Sequence, residues 1–187
     1  MFRPPSGKSS NTTYATVINA WDMLQAGTAL DDVRWVLEWA LVQCRQSYGK
    51  YTEEEYWIQV GLADSIGRQS NSRAACTLLL VALVQVSAEF GETHVLSGLA
   101  MLELARSHAL LGRFAPARVL MDEGLRVLEK AAALGGDYSS QSIHGWVSSF
   151  DRHAALITRE APEPTKWNGL DHWIQTTVQA AWARTRS

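Results

Sequence analysis

The sequence predicts an all-α protein of about eight helices, arranged as successive antiparallel pairs. Apolar residues recur at helical spacing along the chain from Tyr14 onward, and no run shows the alternation expected of a strand. The 5 prolines leave nearly everything between Tyr14 and Ala161 free to be helical. Shifting the sequence against itself by about 42 residues brings the apolar stripes into register, which indicates a repeat.

Start and stop signals give the bounds of these helices. Thr52 and Glu55 form a capping box, in which the hydroxyl accepts a backbone N–H and the carboxylate reaches back. Thr28 with Asp31 is a weaker version, and Pro116 suits the first turn of a helix. Glycines mark the breaks at positions 27, 49, 91, 112, 135 and 136.

The chain is therefore expected to form one domain over residues 13–187, after a flexible tail at 1–12 that is rich in Pro, Ser and Asn. The elements expected are helix pairs at about 13–47, 52–89 and 94–133, a further helix at 139–158 and a capping helix at 168–184.

Small residues recur at the repeat spacing, and this recurrence has a physical use. Small side chains let paired helices approach closely, while a neighbouring leucine fills the space between stacked units. The matching sets are Tyr48-Gly49 with Phe90-Gly91, Leu62-Ala63 with Leu104-Ala105, Ala75 with Ala117, and Ala40-Leu41 with Ala82-Leu83 and Gly124-Leu125. Repetition of several helices in phase favours a solenoid over a plain helical bundle, which is the alternative.

These residues resemble the tetratricopeptide repeat, particularly the longer variety of kinesin light chains. Leu104-Ala105, the turn Gly112-Arg113-Phe114, Ala117 and Gly124 match that family's pattern in the unit from about Gly98 to Glu129. The preceding unit departs from it, because Ser70 and Ser72 replace the glycine and the aromatic residue of the turn. The resemblance implies a right-handed α-solenoid over roughly residues 13–158.

In this family the first helix of each pair lines a concave groove that binds a ligand. Carried over by position, the resemblance implies groove residues Trp57, Val60, Asp64, Arg68, Leu99, Leu102, Arg106 and Ala109. Such a mixture of charged and apolar side chains suits an extended peptide or a helix. The alternatives are that these residues simply face solvent, or that a later helix fills the groove.

The 8 tryptophans lie toward the two ends of the repeat region, at positions 21, 35, 39, 57, 146, 167, 173 and 182. End units of a solenoid need atypical caps, and large aromatic residues fit that purpose. The alternative is that a Trp-rich end is exposed and self-associates as a homodimer, because Trp is enriched at interface hot spots.

Composition and charge argue against several classes of function. The formal net charge of -2 makes nucleic acid an unexpected partner, since proteins that coat phosphate backbones are usually basic. Two distant cysteines, Cys44 and Cys76, fit a reducing compartment, so a cytoplasmic or nuclear protein is expected. The apolar run from Leu78 to Val84 is too short to span a bilayer.

No pattern typical of catalysis or of a cofactor is found in the sequence. The glycines do not form a phosphate loop, and no two of the 5 histidines have the i, i+4 spacing of zinc proteases. His108 and Cys44 are expected in the core, so no cofactor, metal or catalytic residue is predicted. The leading hypothesis is an adaptor that binds a protein or peptide in its groove. The alternative is an enzyme or carrier with an enclosed, Trp-lined pocket for an apolar small molecule.

Overall fold

A computed structural model describes residues 12–27, 29–135, 138–161, 163 and 166–176. The helices are α1 (Thr12–Ala26), α2 (Leu30–Tyr48), α3 (Glu53–Arg68), α4 (Ser72–Phe90), α5 (Val95–Leu110), α6 (Phe114–Leu134) and α7 (Ser140–Glu160). A last helical segment covers residues 170–176, and no strand occurs among the residues described. The prediction of an all-α fold is confirmed. Residues 1–11 of the expected N-terminal tail lie outside these residues, as do Thr28 and Trp182.

Local hydrogen bonds explain where several helices begin. The Thr52 hydroxyl accepts from the Glu55 backbone N–H at 3.2 Å, as predicted. Glu55 itself does not reach back to complete the capping box, since its carboxylate accepts from Arg45 Nε at 2.8 Å. Asn71 and Ser139 cap α4 and α7 through their side chains. Side-chain caps therefore fix the starts of α3, α4 and α7.

Positive φ angles recur in the turns at the spacing seen in the sequence. Gly49, Gly91 and Gly135 end α2, α4 and α6 with positive φ angles. Between the helices of a pair, Gly112 has φ 70° and Ser70, at the equivalent position, has φ 67°. Asn71 N–H donates to Ile66 O at 3.2 Å, and Arg113 N–H donates to His108 O at 2.9 Å, so both turns close in the same way. Ser70 thus takes a conformation that glycine usually supplies.

Each helix packs against the next one along the chain, and the odd-numbered helices also contact each other in the order α1, α3, α5, α7. In consequence the middle odd helices are enclosed. α3 is buried without interruption from Glu55 to Ser65, and α5 from Leu96 to Ala105. The even helices α2, α4 and α6 each keep one face toward solvent.

Small residues lie where the helices come closest. A Cβ atom added to Gly124 would stand 2.9 Å from the Gly98 carbonyl oxygen, and one added to Gly98 would stand 3.0 Å from Leu128 Cγ. The recurring alanines of the repeat are all buried: Ala20, Ala40, Ala63, Ala75, Ala82, Ala105 and Ala117. These residues therefore serve helix contact and do not face solvent.

The tryptophans divide between the core and the surface. Trp57 is fully buried, and its ring centroid lies 6.3 Å from that of Trp21 and 6.0 Å from that of Trp146 on α7. Trp173 is also buried. Trp35 and Trp39 on α2 are exposed, so a capping role does not account for every tryptophan.

One helix meets the length and composition of a membrane span, which differs from the expectation drawn from the short run Leu78–Val84. α4 (Ser72–Phe90) is long and apolar enough by those two measures. In the structure its inner face, which includes Ala75, Leu79 and Leu83, packs in the core between α3 and α5. Core helices of soluble proteins pass the same test, so this helix does not decide where the protein resides.

Candidate functional site

A pocket of about 240 Å³ lies where the C-terminal halves of α3 and α5 meet the N-terminal half of α4. Its walls combine apolar side chains with two acids and two arginines. The lining residues are Val60, Ala63, Asp64, Gly67, Arg68, Ser72, Ala75, Leu79, Glu103, Arg106, Ser107 and Leu110. Ser72 stands at the repeat position that Phe114 occupies on α6, where the aromatic ring packs against the core. A small residue at this position therefore leaves space beside α4.

Four charged side chains form one network at the rim. Asp64 accepts from Arg68 Nε at 2.7 Å and from Arg106 Nη2 at 3.5 Å. Arg106 also donates from Nε to Glu103 Oε2 at 2.9 Å. Asp64 and Arg106 lie 42 residues apart, so the ion pair joins equivalent positions of two neighbouring repeats.

The arginines of this network face solvent more than the acids do. The Arg68 side chain is 44% exposed and that of Arg106 is 18% exposed, against 7% for Asp64 and 1% for Glu103. The Glu103 carboxylate raises the pKa of Arg106 above its ordinary value, with burial opposing and Asp64 adding to the effect. The four charges cancel in sum, yet the rim presents guanidinium groups outward. A carboxylate is the ligand group that such a rim favours.

The eight predicted groove residues separate into two sets. Val60, Asp64, Arg68 and Arg106 line the pocket together. Trp57, Leu99, Leu102 and Ala109 are buried in the core and do not line an open groove. For Trp57 the reason is α7, because Trp146 covers its ring. The alternative in which a later helix fills the groove thus describes the position of Trp57.

Several pocket residues were missed by sequence reasoning. Glu103 precedes Arg106 by three residues and Asp64 precedes Arg68 by four, which are spacings of intrahelical ion pairs. Opposite charges at equivalent repeat positions were a second usable signal. Ala63, Ser107 and Leu110 gave no such signal, because their role depends on how three helices meet.

His108 lies close to this pocket but belongs to the core, as predicted. Its Nε2 atom is 3.8 Å from Cys76 Sγ, and its ring packs edge-on against Trp173 at 5.9 Å. Burial lowers the pKa of His108 to about 4 and raises the pKa of the Cys76 thiol. Both groups are therefore neutral near pH 7, and the pair lacks the thiolate that a nucleophile needs.

Cys44 is likewise buried, with its sulfur 3.3 Å from the Thr52 hydroxyl. Within the described part of the chain, no three His, Cys, Asp or Glu side chains group as metal ligands.

Comparison of the chain with protein-family models, with curated proteins and with solved structures found no match. The tetratricopeptide resemblance thus stays a prediction that rests on the residues quoted above.

Proposed function

We propose that the protein is an adaptor with a tetratricopeptide-like solenoid, which holds a peptide or a partner protein by a side chain seated in the pocket between α3, α4 and α5. The observation that carries the proposal is the pocket itself, with apolar walls and an arginine rim on helices that contact in repeat order. The ligand segment would present an apolar side chain beside a carboxylate.

Three features support the solenoid part of the proposal. Odd helices contact in sequence while even helices alternate with them, which is the order that stacked helix pairs require. Gly112 and Ser70 repeat one turn geometry, and the recurring small residues lie inside helix contacts.

The size and charge of the pocket favour an anchoring side chain over a whole metabolite. A volume of about 240 Å³ falls below the roughly 300–1,000 Å³ of sites that enclose drug-sized ligands. The exposed Arg68, with the partly exposed Arg106 beside it, favours an anionic neighbour, for example an acidic side chain or a C-terminal carboxylate. Burial of the apolar side chain would supply affinity, and the charges would set the direction in which the peptide binds and the specificity of binding.

The rival hypothesis of a carrier or enzyme asks for a Trp-lined cavity. Trp57 instead packs against both Trp21 and Trp146, with ring centroids 6.3 Å and 6.0 Å away, and none of the three lines the pocket described. No observation on the described residues favours this second function.

Selection of peptides against the protein tests the proposal. A displayed library of random peptides is panned on the full chain, and the affinity of selected peptides is measured by fluorescence anisotropy. We expect apolar-acidic peptides that lose at least about tenfold in affinity when Leu110→Glu places a carboxylate on the rim. Leu134→Glu is the matched control, because Leu134 is an exposed leucine at the end of α6, away from the pocket.

Equal binding of the selected peptides to both leucine variants would show that the peptides do not bind in the pocket. Failure to select any peptide on the folded wild-type chain would contradict the adaptor function itself.

A further inference from the structure

The outer face of α2 carries a line of large apolar side chains that the protein fold does not cover. Trp35 is 68% exposed, Trp39 48% and Val42 50%. With Asp32 before them and Gln46 after them, these residues follow spacings of three and four along the helix. That spacing is the seam of a coiled coil, in which one helix packs along another.

The other two even-numbered helices differ from α2. α4 exposes the smaller apolar residues Val81 and Val84, whereas the exposed positions of α6 include Arg126, whose guanidinium pairs with Glu123. Exposed tryptophans in a row are costly in water, and Trp is the residue most enriched at binding hot spots. The face of α2 therefore indicates an interface.

The charges at the two ends of the seam identify its occupant. Asp31 and Asp32 lie in the first turn of α2, and Arg45 lies in its last turn. When two copies of α2 pack antiparallel about a twofold axis between Glu38 and Trp39, Trp35 of one copy lies opposite Val42 of the other. The same register places Asp32 opposite Arg45, and Trp39 beside its own counterpart. A self-complementary surface of this kind is what a twofold dimer requires.

The groups involved are able to form these contacts. The Arg45 side chain is 53% exposed and uses Nε for Glu55 within its own chain, and a guanidinium has further N–H donors on its other nitrogens. Glu38 lies near the axis, where two like charges would repel, but its carboxylate is held by Arg34 of the same helix at 2.7 Å.

We propose that the protein forms a twofold dimer in which α2 packs antiparallel against α2 of a second copy through Trp35, Trp39 and Val42. This interface is separate from the peptide pocket, so either can fail without the other. One helix face buries a modest area, so we expect a weak, concentration-dependent dimer.

Sedimentation velocity of the full chain across about 2 to 200 µM tests this association. We expect a monomer–dimer equilibrium that Trp39→Glu weakens at least about tenfold. Val81→Glu is the matched control, because Val81 on α4 is the repeat equivalent of Trp39 and is 43% exposed. Circular dichroism confirms that each variant is folded.

Two further variants test the register. Asp32→Arg should weaken the dimer by repulsion from Arg45, and this loss should shrink in high salt. Glu38→Cys lies near the axis and should cross-link to its counterpart under diamide, whereas Asp32→Cys should not, because the two copies of residue 32 lie far apart. The native cysteines are both buried and give little background.

A chain that stays monomeric at the highest concentration would overturn the proposal, as would a dimer that Trp39→Glu leaves intact. Efficient cross-linking through Asp32→Cys would contradict the antiparallel register. Binding of the monomer to phosphatidylcholine–phosphatidylglycerol vesicles, lost in Trp39→Glu, would instead assign the face to a membrane surface.

Discussion

In the α5–α6 pair two glycines bring the helices close enough for side chain to meet backbone, whereas the α3–α4 pair leaves a pocket beside α5. The positions of Gly98 and Gly124 are taken in the α3–α4 pair by the larger residues Tyr56 and Ala82. The aromatic Phe114 at the start of α6 is replaced by Ser72 at the start of α4. A few substitutions at equivalent positions of the sequence therefore separate a tightly packed helix pair from one that leaves a pocket.

The largest effect should come from breaking the tight pair with Gly124→Ala. The added Cβ would lie 2.9 Å from the Gly98 carbonyl oxygen and 3.1 Å from Met101 Cβ, so the helices must separate. We expect a loss of about 2–3 kcal/mol in the free energy of unfolding, measured by urea denaturation. Gly67→Ala is the control, because its Cβ would meet only Ala75 Cβ at 3.6 Å and alanine favours the helix.

His108 gives the α5–α6 pair a dependence on pH that the α3–α4 pair lacks, since Ile66 is its repeat equivalent. Burial lowers its pKa to about 4 in the folded protein, whereas the unfolded value is about 6.5. The unfolded state therefore binds the proton more readily, and stability present above pH 6.5 falls as the pH drops toward 4.

The loss in the free energy of unfolding that His108 causes amounts to about 2 kcal/mol at pH 5. His108→Ile should remove it, which denaturation curves at pH 7 and pH 5 can check. A wild-type and variant protein with equal losses over that range would show that His108 is not the titrating group.

Asp64→Asn should weaken the contact between the α3–α4 pair and the α5–α6 pair. The change removes the charge that holds both Arg68 and Arg106, and leaves the half-buried Arg106 with Glu103 alone. We expect a loss of about 1–2 kcal/mol by urea denaturation. Glu38→Gln breaks an exposed ion pair of similar length on α2 and should cost much less. A similar cost in both variants would contradict a special role for Asp64.

Ser72→Phe should make the α3–α4 pair resemble its neighbour. The ring would enter the pocket and bury apolar area, for a gain of about 1 kcal/mol in the free energy of unfolding. The same variant should lose affinity for peptides selected on the wild type. Thermal denaturation and anisotropy measure the two effects, and a gain in stability with unchanged peptide binding would place the ligand elsewhere.

Ser70→Gly should have the smallest effect. A non-glycine residue at φ 67° carries backbone strain of about 1–2 kcal/mol, which glycine relieves while giving the unfolded chain more freedom. The net gain should be about 0.5 kcal/mol, visible as a small rise in Tm. The reverse change, Gly112→Ser, should lower Tm in the α5–α6 pair. A fall in Tm for Ser70→Gly would mean that the serine side chain stabilises the turn.

The parts of the fold that were predictable from sequence are those set by local chemistry. Thr52 and the glycines at 49, 91 and 112 mark helix ends because hydroxyl caps and positive φ angles depend on a few adjacent residues. The outer bounds expected for the three helix pairs and for the helix at 139–158 lie within about two residues of the ends observed. Ser70 shows the limit of this reasoning, since it departs from the residue pattern of the turn and the backbone nevertheless closes with the equivalent hydrogen bond.

The candidate site was only half predictable. Asp64 and Arg106 could be placed together from the repeat spacing alone. The burial of Trp57 could not, because it depends on Trp146 of α7, and the residues quoted for the repeat carry no information on how α7 packs.

Residues 166–176 lie against the third helix pair, and this contact affects the order in which parts of the protein are buried during synthesis. The Leu170 N–H reaches Glu92 across 78 residues of sequence, and Trp173 covers His108. Trp57 on α3 is covered late, because its ring meets Trp146 on α7. The face of α5 around His108 is covered later still, since it stays exposed to water until Trp173 has been synthesised.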